Sequence, residues 1–276
     1  MNKREFEAVL GDFVENSDFN KVSEEKALSQ QLTGLKIYDD PLIGYASSDN
    51  EYLNKINKIP EAGLDEMKPA KFWLSDAKSV VSVFMPYTEE IRTSNIKEEK
   101  PSFKWLHGRI EGQSFINELL TYLKISLESE GYKTIVPSLD ERFMKRDGRN
   151  TQEGEFGSNW SERHVAYAAG LGTFSLSKGL ITEKGMAGRL GSLVTSADFE
   201  PSLVKYNDLY ENCTMCGACI KRCPKKAISF EFGKVHKSCS DYLEDIFDEY
   251  HPYYGCGKCQ VGVPCENRIP GKVRTE

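Results

Sequence analysis

No cysteine occurs in the first 212 of this chain's 276 residues. A disulfide framework or a thiolate metal site is thereby excluded from most of the molecule, and the cysteine-free part is long enough to bury a core of its own. Also missing is any run of about 18 apolar residues, which excludes a membrane-crossing helix. The opening Met1-Asn2-Lys3-Arg4-Glu5 is no secretory leader, so a reducing, cytoplasmic setting is expected. Excess positive charge is lacking too: 36 Lys and Arg face 42 Asp and Glu, a formal net charge of -6, which leaves no overall electrostatic footprint for a polyanion. No internal repeat and no low-complexity segment is present.

What the chain does have is eight cysteines in its last quarter: Cys213, Cys216, Cys219 and Cys223, the last followed by Pro224, then Cys239, Cys256, Cys259 and Cys265. The run C-T-M-C-G-A-C-I-K-R-C-P has the bacterial ferredoxin spacing, in which three close thiolates reach one 4Fe-4S cluster and the fourth ligates a second. The spacing predicts Cys213, Cys216, Cys219 and Cys265 on one cluster and Cys223, Cys239, Cys256 and Cys259 on the other. Cys265, which follows Cys259 after five residues without a proline behind it, is the least regular member. Gly217 suits the tight curl around a cluster corner, and Pro224 turns the chain away. Tetrahedral zinc on two sets of four thiolates is the alternative, although zinc ribbons use pairs rather than a run ending in Cys-Pro. Disulfides fit a reducing compartment less well. The dense basic group Lys221-Arg222 with Lys225-Lys226 reads as a solvated rim or as a docking face for an acidic electron donor of ferredoxin or flavodoxin type, ahead of an RNA site.

Elements can be placed around this cassette. Phe6, Val9, Leu10 and Phe13 share one face of a helix over Arg4 to Val14, and a second charged helix is expected over Ser23 to Leu32. The β-branched run Ser79 to Pro86 predicts a buried strand. Apolar residues spaced by three and four from Gln113 to Ser129 predict an amphipathic helix that ends before Gly131, followed by a strand over Tyr132 to Val136. Helix then strand is half of a layered α/β unit. The polar interval Ser138 to Ser158 reads as a long loop, a helix should run from Ser161 towards Gly170, and a strand lies near Gly191 to Thr195. Two domains are expected: residues 1–205, α/β and binding cofactor and substrate, and residues 206–276, a ferredoxin-like double-cluster unit.

The stretch S-E-R-H-V-A-Y-A-A-G-L-G-T-F-S-L-S-K-G-L-I-T from Ser161, with R-L-G-S-L-V-T from Arg189 and the cysteine cassette behind it, resembles the epoxyqueuosine reductases and, more distantly, the reductive dehalogenases. A-K-S-V-V-S-V-F-M-P-Y and H-G-R-I-E-G-Q-S-F-I-N-E-L-L look like earlier landmarks of the same family. The resemblance implies a nitroreductase-like α/β domain holding a corrinoid (cobalamin), with two 4Fe-4S clusters as its electron conduit, and reduction of a small molecule or modified nucleoside. Gly170, Gly172 and Gly179 would let backbone approach a large planar ligand, although a lone G-L-G is otherwise a helix cap and turn. The family's acidic proton donor has no aligned counterpart, and Asp140 and Glu155 are the nearest by type; a donor beside the cofactor should have a raised pKa. Tyr167, His164 and Arg189 remain as polar groups over the pocket. The acidic balance and the short segment after Cys265 weigh against a tRNA substrate. An electron-transfer protein or reductive activator serving a partner enzyme is the competing class, and a flavin in place of the corrinoid is a third reading.

Overall fold

The computed structural model describes residues 1–58, 67–97, 99–146 and 157–271. In chain order the elements are α1 (Lys3–Asn16), β1 (Leu42–Ser47), α2 (Glu51–Lys55), α3 (Ala70–Trp73), β2 (Ser79–Pro86), α4 (Glu89–Lys97), α5 (Phe103–Ser129), β3 (Thr134–Ile135), β4 (Lys145–Arg146) and β5 (Gly157–Ser158). They continue with α6 (Glu162–Ala168), β6 (Gly172–Phe174), β7 (Leu180–Thr182), β8 (Gly188–Thr195), α7 (Ala218–Arg222), β9 (Ile228–Ser229), β10 (Gly233–Lys234) and α8 (His236–Tyr250). Among the described residues no helix is long and apolar enough to cross a membrane.

The central sheet has the order β1-β2-β8-β3 and every pairing in it is antiparallel, with Val81 opposite Leu193 and Phe84 opposite Leu190. All eight residues of β2 are buried. The physical reason is that both faces are covered: Val81, Val83 and Met85 pack with α1 and α5, while Val80 packs with the α6 side and Phe84 with Ala166 of α6. A strand covered on two faces loses its polar alternation, which is why β2 reads as an unbroken apolar run. The architecture is thus mixed α/β with helices on both sides of the sheet. The helix-then-strand succession of α5 and β3 ends in an antiparallel edge pairing with β8, not in a parallel crossover.

Two helices depart from their sequence patterns. α5 begins at Phe103, ten residues ahead of Gln113, because Ser102 caps it and its first turns bury Trp105, Leu106, His107 and Glu111 on several sides at once. That all-round burial erases the amphipathic signal. The expected helix over Ser23 to Leu32 is instead two single 3₁₀ turns, Glu24–Lys26 and Gln30–Leu32. Its backbone is engaged elsewhere: Val22 and Leu35 exchange a bond at 3.0 Å, and the Leu28 amide donates to His107 Nε2 at 3.1 Å. α1 follows expectation, with Asn2 and Glu5 forming a reciprocal cap and Phe6, Leu10 and Val14 buried.

The cysteine segment is stitched to the sheet domain by polar contacts. Arg92 of α4 pairs with Glu266 at 2.8 Å, with both side chains 12% exposed. Asn95 Nδ2 donates to the Cys256 carbonyl at 2.9 Å, and the Met186 amide donates to the Cys265 carbonyl at 3.0 Å. Arg222 donates to the Lys258 carbonyl at 3.1 Å and to the Ile96 carbonyl, the end of α4, at 3.0 Å.

Candidate functional site

The end of β2, the start of β8 and the first half of α5 leave a cavity of about 670 Å³ between the sheet domain and the cysteine segment. Phe84, Trp105, Arg109, Gln113, Glu162 and Arg189 line it from the sheet side, and Cys223, Cys239, Cys256 and Cys259 line it from the other. Cys213, Cys216, Cys219 and Cys265 line a separate small cavity of about 20 Å³, with Cys216 exposed at the surface. The eight thiols therefore divide between two spaces along the same lines as the two sets read from their spacing. Among the described residues no three His, Cys, Asp or Glu side chains close on a point that would hold a single metal ion.

The local backbone repeats between the sets. Gly217, directly after Cys216, has φ 71° and opens the short helix carrying Cys219, and Gly257, directly after Cys256, has φ 63° and opens the 3₁₀ turn carrying Cys259. A left-handed residue followed by a helical turn points successive amides into one concavity, the arrangement that favours anionic groups. Burial pushes the thiols of Cys256 and Cys265 up to about 12 and that of Cys219 to about 11, with neighbouring thiols adding to each. Crowded, desolvated thiols of this kind ionise when a metal takes the charge.

Glu162, in the first turn of α6, supplies the one acidic side chain on the described lining of the large cavity. Trp160 Nε1 donates to Ser192 Oγ at 2.8 Å, and Ser192 in turn donates to Glu162 Oε2 at 2.6 Å. Oε1 is buried without a hydrogen-bond partner. Burial raises this carboxyl to about 7, against a smaller lowering by the Ser192 hydroxyl. A carboxyl raised to this range holds its proton up to near-neutral pH, which is what general acid chemistry requires.

Elsewhere on the described lining stand six cations: Arg109, Arg163, Lys178, Arg189, Lys225 and Lys234. Arg189 Nε donates to Gln113 Oε1 at 3.1 Å. Arg109 donates to the Tyr254 hydroxyl at 2.8 Å and lies 4.7 Å over its ring. Burial and then Arg189 push Arg109 down to about 10. On an acidic chain this basic lining is a local property of the cavity.

Of the residues singled out from sequence, Arg189 and Gly179 lie on the large cavity, together with the second thiol set. Asp140 does not line it, and it is clamped by Arg142 through bonds of 2.7 and 3.0 Å that hold its carboxyl below the usual range, contrary to the raised pKa expected of a donor. Glu155 lies outside the described residues. Tyr167 is absent from the lining and packs instead among Tyr52, Phe174 and Tyr206. His164 is a core residue, 2.7 Å from the Tyr52 hydroxyl through Nδ1 and 4.6 Å from the Phe174 ring. Gly170, at φ 81°, is the cap of α6, where the Leu171 amide reaches back to the Ala166 carbonyl at 3.0 Å. Gly172 lets β6 and β7 close, since a Cβ there would stand 2.1 Å from the Ile181 carbonyl oxygen. Both glycines therefore serve the fold at these positions. In the basic group, Arg222 is spent on carbonyls and Lys225 pairs with Asp245 at 3.1 Å, so Lys221 and Lys226 are left for any docking role. Glu162 carries no distinguishing signal in the sequence, because an acid in the first turn of a helix ordinarily serves the helix dipole. The repeated C-G-x-C was the signal for Gly257.

Residues 208–229, which contain the four-cysteine run, match the family described as 4Fe-4S binding domain. No curated protein matches the chain. Among solved structures it is similar to a selenomethionine-labelled epoxyqueuosine reductase, with TM-score 0.52 and 19% identity over 82% of this chain and 61% of that one. It is similar to the epoxyqueuosine reductase from Streptococcus thermophilus, with TM-score 0.50 and 19% identity over 85% and 65%. It is also similar to the catabolic reductive dehalogenase NpRdhA, with TM-score 0.55 and 14% identity over 96% of this chain and 37% of that one. The fold is that of these reductases, and the chain spans about three fifths of the length of the epoxyqueuosine reductases it matches.

Proposed function

We propose that this chain is an iron-sulfur reductase in which residues 206–276 conduct electrons through two 4Fe-4S clusters to a reaction chamber built by residues 1–205, with nitroreductase-like layering and in a reducing, cytoplasmic setting. The observation that carries the reading is that one set of four thiols and Glu162 line the same cavity. The residues present fit the clusters: two sets of four thiols, two glycine curls presenting amides, and one set near the surface with Cys216 exposed. With clusters bound, the set at Cys216 would take electrons from a small donor of ferredoxin or flavodoxin type and the set on the large cavity would deliver them.

The cavity also fits a large cofactor. Its 670 Å³ adjoins a second space of about 620 Å³ that shares Arg109, Arg163, Lys178, Lys234 and Cys239 as wall. A corrinoid, when bound there, would supply the low-potential electrons at the substrate. The chain's own contribution is then orientation and proton delivery. Ser192 and Trp160 fix Glu162 as the proton source, and Arg189, oriented by Gln113 on the α5 side of the same cavity, offers positive charge to an anionic group of the substrate.

The substrate class is a small molecule or a modified nucleoside. Among similar structures, one epoxyqueuosine reductase was solved with a modified tRNA stem loop and the dehalogenase with 3-bromo-4-hydroxybenzoic acid. The small molecule is favoured here by the net charge of -6. The test is anaerobic purification, incubation with cobalamin, and measurement of iron, cobalt and the visible spectrum. About eight irons and one retained cobalt per chain are expected. The same iron without cobalt would move the function to an electron-transfer or activator role, and absence of clusters would sink both.

A further inference from the structure

The 620 Å³ space beside the thiol set is lined by Arg109, Lys145, Arg163, Lys178, Lys234 and His236, with Glu244 as its one acidic side chain among the described residues. The five Lys and Arg side chains come from separate elements: α5, β4, α6, the turn after β6 and β10. Two of these five have an evident partner. Lys234 is held by the Cys239 thiol, and Arg109 by the Tyr254 hydroxyl. Arg163 and Lys178 have none among the described residues. The Arg163 guanidinium donates to the Lys178 carbonyl, a neutral group, and no anion among the described residues acts on either cation. Desolvation, and for Lys178 the charges of Arg163 and Lys234, works against both. The backbone of Lys178 is held at φ 61° in the β6–β7 turn, where its amide donates to the Ser175 carbonyl at 2.8 Å, so the side chain projects from a fixed position. A thiolate cage would balance Lys234, which touches it, and leaves Arg163 and Lys178 unmatched.

We propose that this lobe binds a phosphate group, carried by the substrate or by the nucleotide portion of a cofactor, between Arg163 and Lys178 with Lys145 at the mouth. A carboxylate is satisfied by one planar guanidinium, whereas the tetrahedral oxygens of a phosphate match cations arriving from several directions. The inference rests on reading the adjoining cavity as the reaction chamber, and it specifies which chemical class of ligand enters.

The test is isothermal titration of inorganic pyrophosphate into anaerobically prepared holoprotein, with chloride holding ionic strength constant. One saturable site is expected. Lys178→Gln should weaken it at least about tenfold, since a charged hydrogen-bond donor is lost. Lys145→Gln, on an exposed side chain that leaves the fold unaltered, should weaken it about threefold, and Lys221→Gln on the outer face of α7 should not change it. Repetition with hydroxocobalamin present assigns the source: persistence gives the phosphate to the substrate, and competition gives it to the cofactor. No saturable heat at millimolar pyrophosphate, or equal affinity in Lys178→Gln and the parent, overturns the phosphate site. The cluster spectrum is recorded on the same samples, so loss of the site with clusters intact is separate from failure of the reductase reading.

Discussion

At the scale of the residue, environment separates carboxylates that look alike in sequence. Asp140 sits in a polar stretch and is neutralised by Arg142, whereas Glu162 has one carboxyl oxygen enclosed without a partner and the other supported by Ser192. Infrared spectroscopy should therefore show a protonated carboxyl band that titrates with a midpoint of about 7 and is missing in Glu162→Gln. A midpoint near the ordinary 4.5 would remove Glu162 as the proton donor. The same shift sets a stability slope. The folded state holds this proton up to about 7 while the unfolded chain releases it near 4.5, so the folded state binds more protons in that window. Stability from this group is complete below the lower value and falls as pH rises towards the upper one. Thermal melts of Glu162→Gln against the parent should show the difference growing across that range and levelling above it.

At the scale of the element, two glycines report on different structures. In the β6–β7 hairpin a methyl on Gly172 would meet the Ile181 carbonyl oxygen at 2.1 Å, a backbone atom that cannot move aside. Gly172→Ala should lower stability by about 1–3 kcal/mol, the range for overpacking, as read from urea midpoints. Gly257 combines φ 63° with a Trp105 ring that would lie 1.8 Å from an added Cβ. Gly257→Ala should thus disturb only the curl that carries Cys256 and Cys259. Iron analysis is expected to show about half the parent content, with the set at Cys213 retained. Full retention of iron would disconnect the curl from metal binding.

At the scale of the whole molecule, the cysteine segment and the sheet domain depend on each other. Arg92 and Glu266 form a pair sheltered from water, and Glu266 also accepts from the Gly262 amide at 2.6 Å. Removing Arg92 leaves a buried carboxylate without its partner. Arg92→Ala is expected to cost on the order of 3 kcal/mol. Iron release to a chelator should accelerate as the Cys265 end loosens, and an unchanged release rate would mean that other contacts alone anchor it. The lining of the large cavity draws on both parts, so neither has a complete chamber by itself.

The sequence by itself determined the local features: the eight thiols and their two sets, the buried strand Ser79–Pro86, the capped helix α1 and the turn at Gly217. Each of these depends on short-range spacing or on the preference of a residue for its own backbone conformation. Tertiary structure decided the rest, because it depends on residues far apart in the chain. Glu162 becomes an unusual acid only when Ser192, thirty residues away, and the sheet bury it. Gly170 and Gly172 matched the expected glycines by motif, but helix capping and hairpin closure claimed them. The early start of α5 was hidden because burial on several sides has no periodicity, and the cationic lobe was hidden because its charges are spread from Arg109 to Lys234 and meet only when β4, α6 and β10 fold around one space.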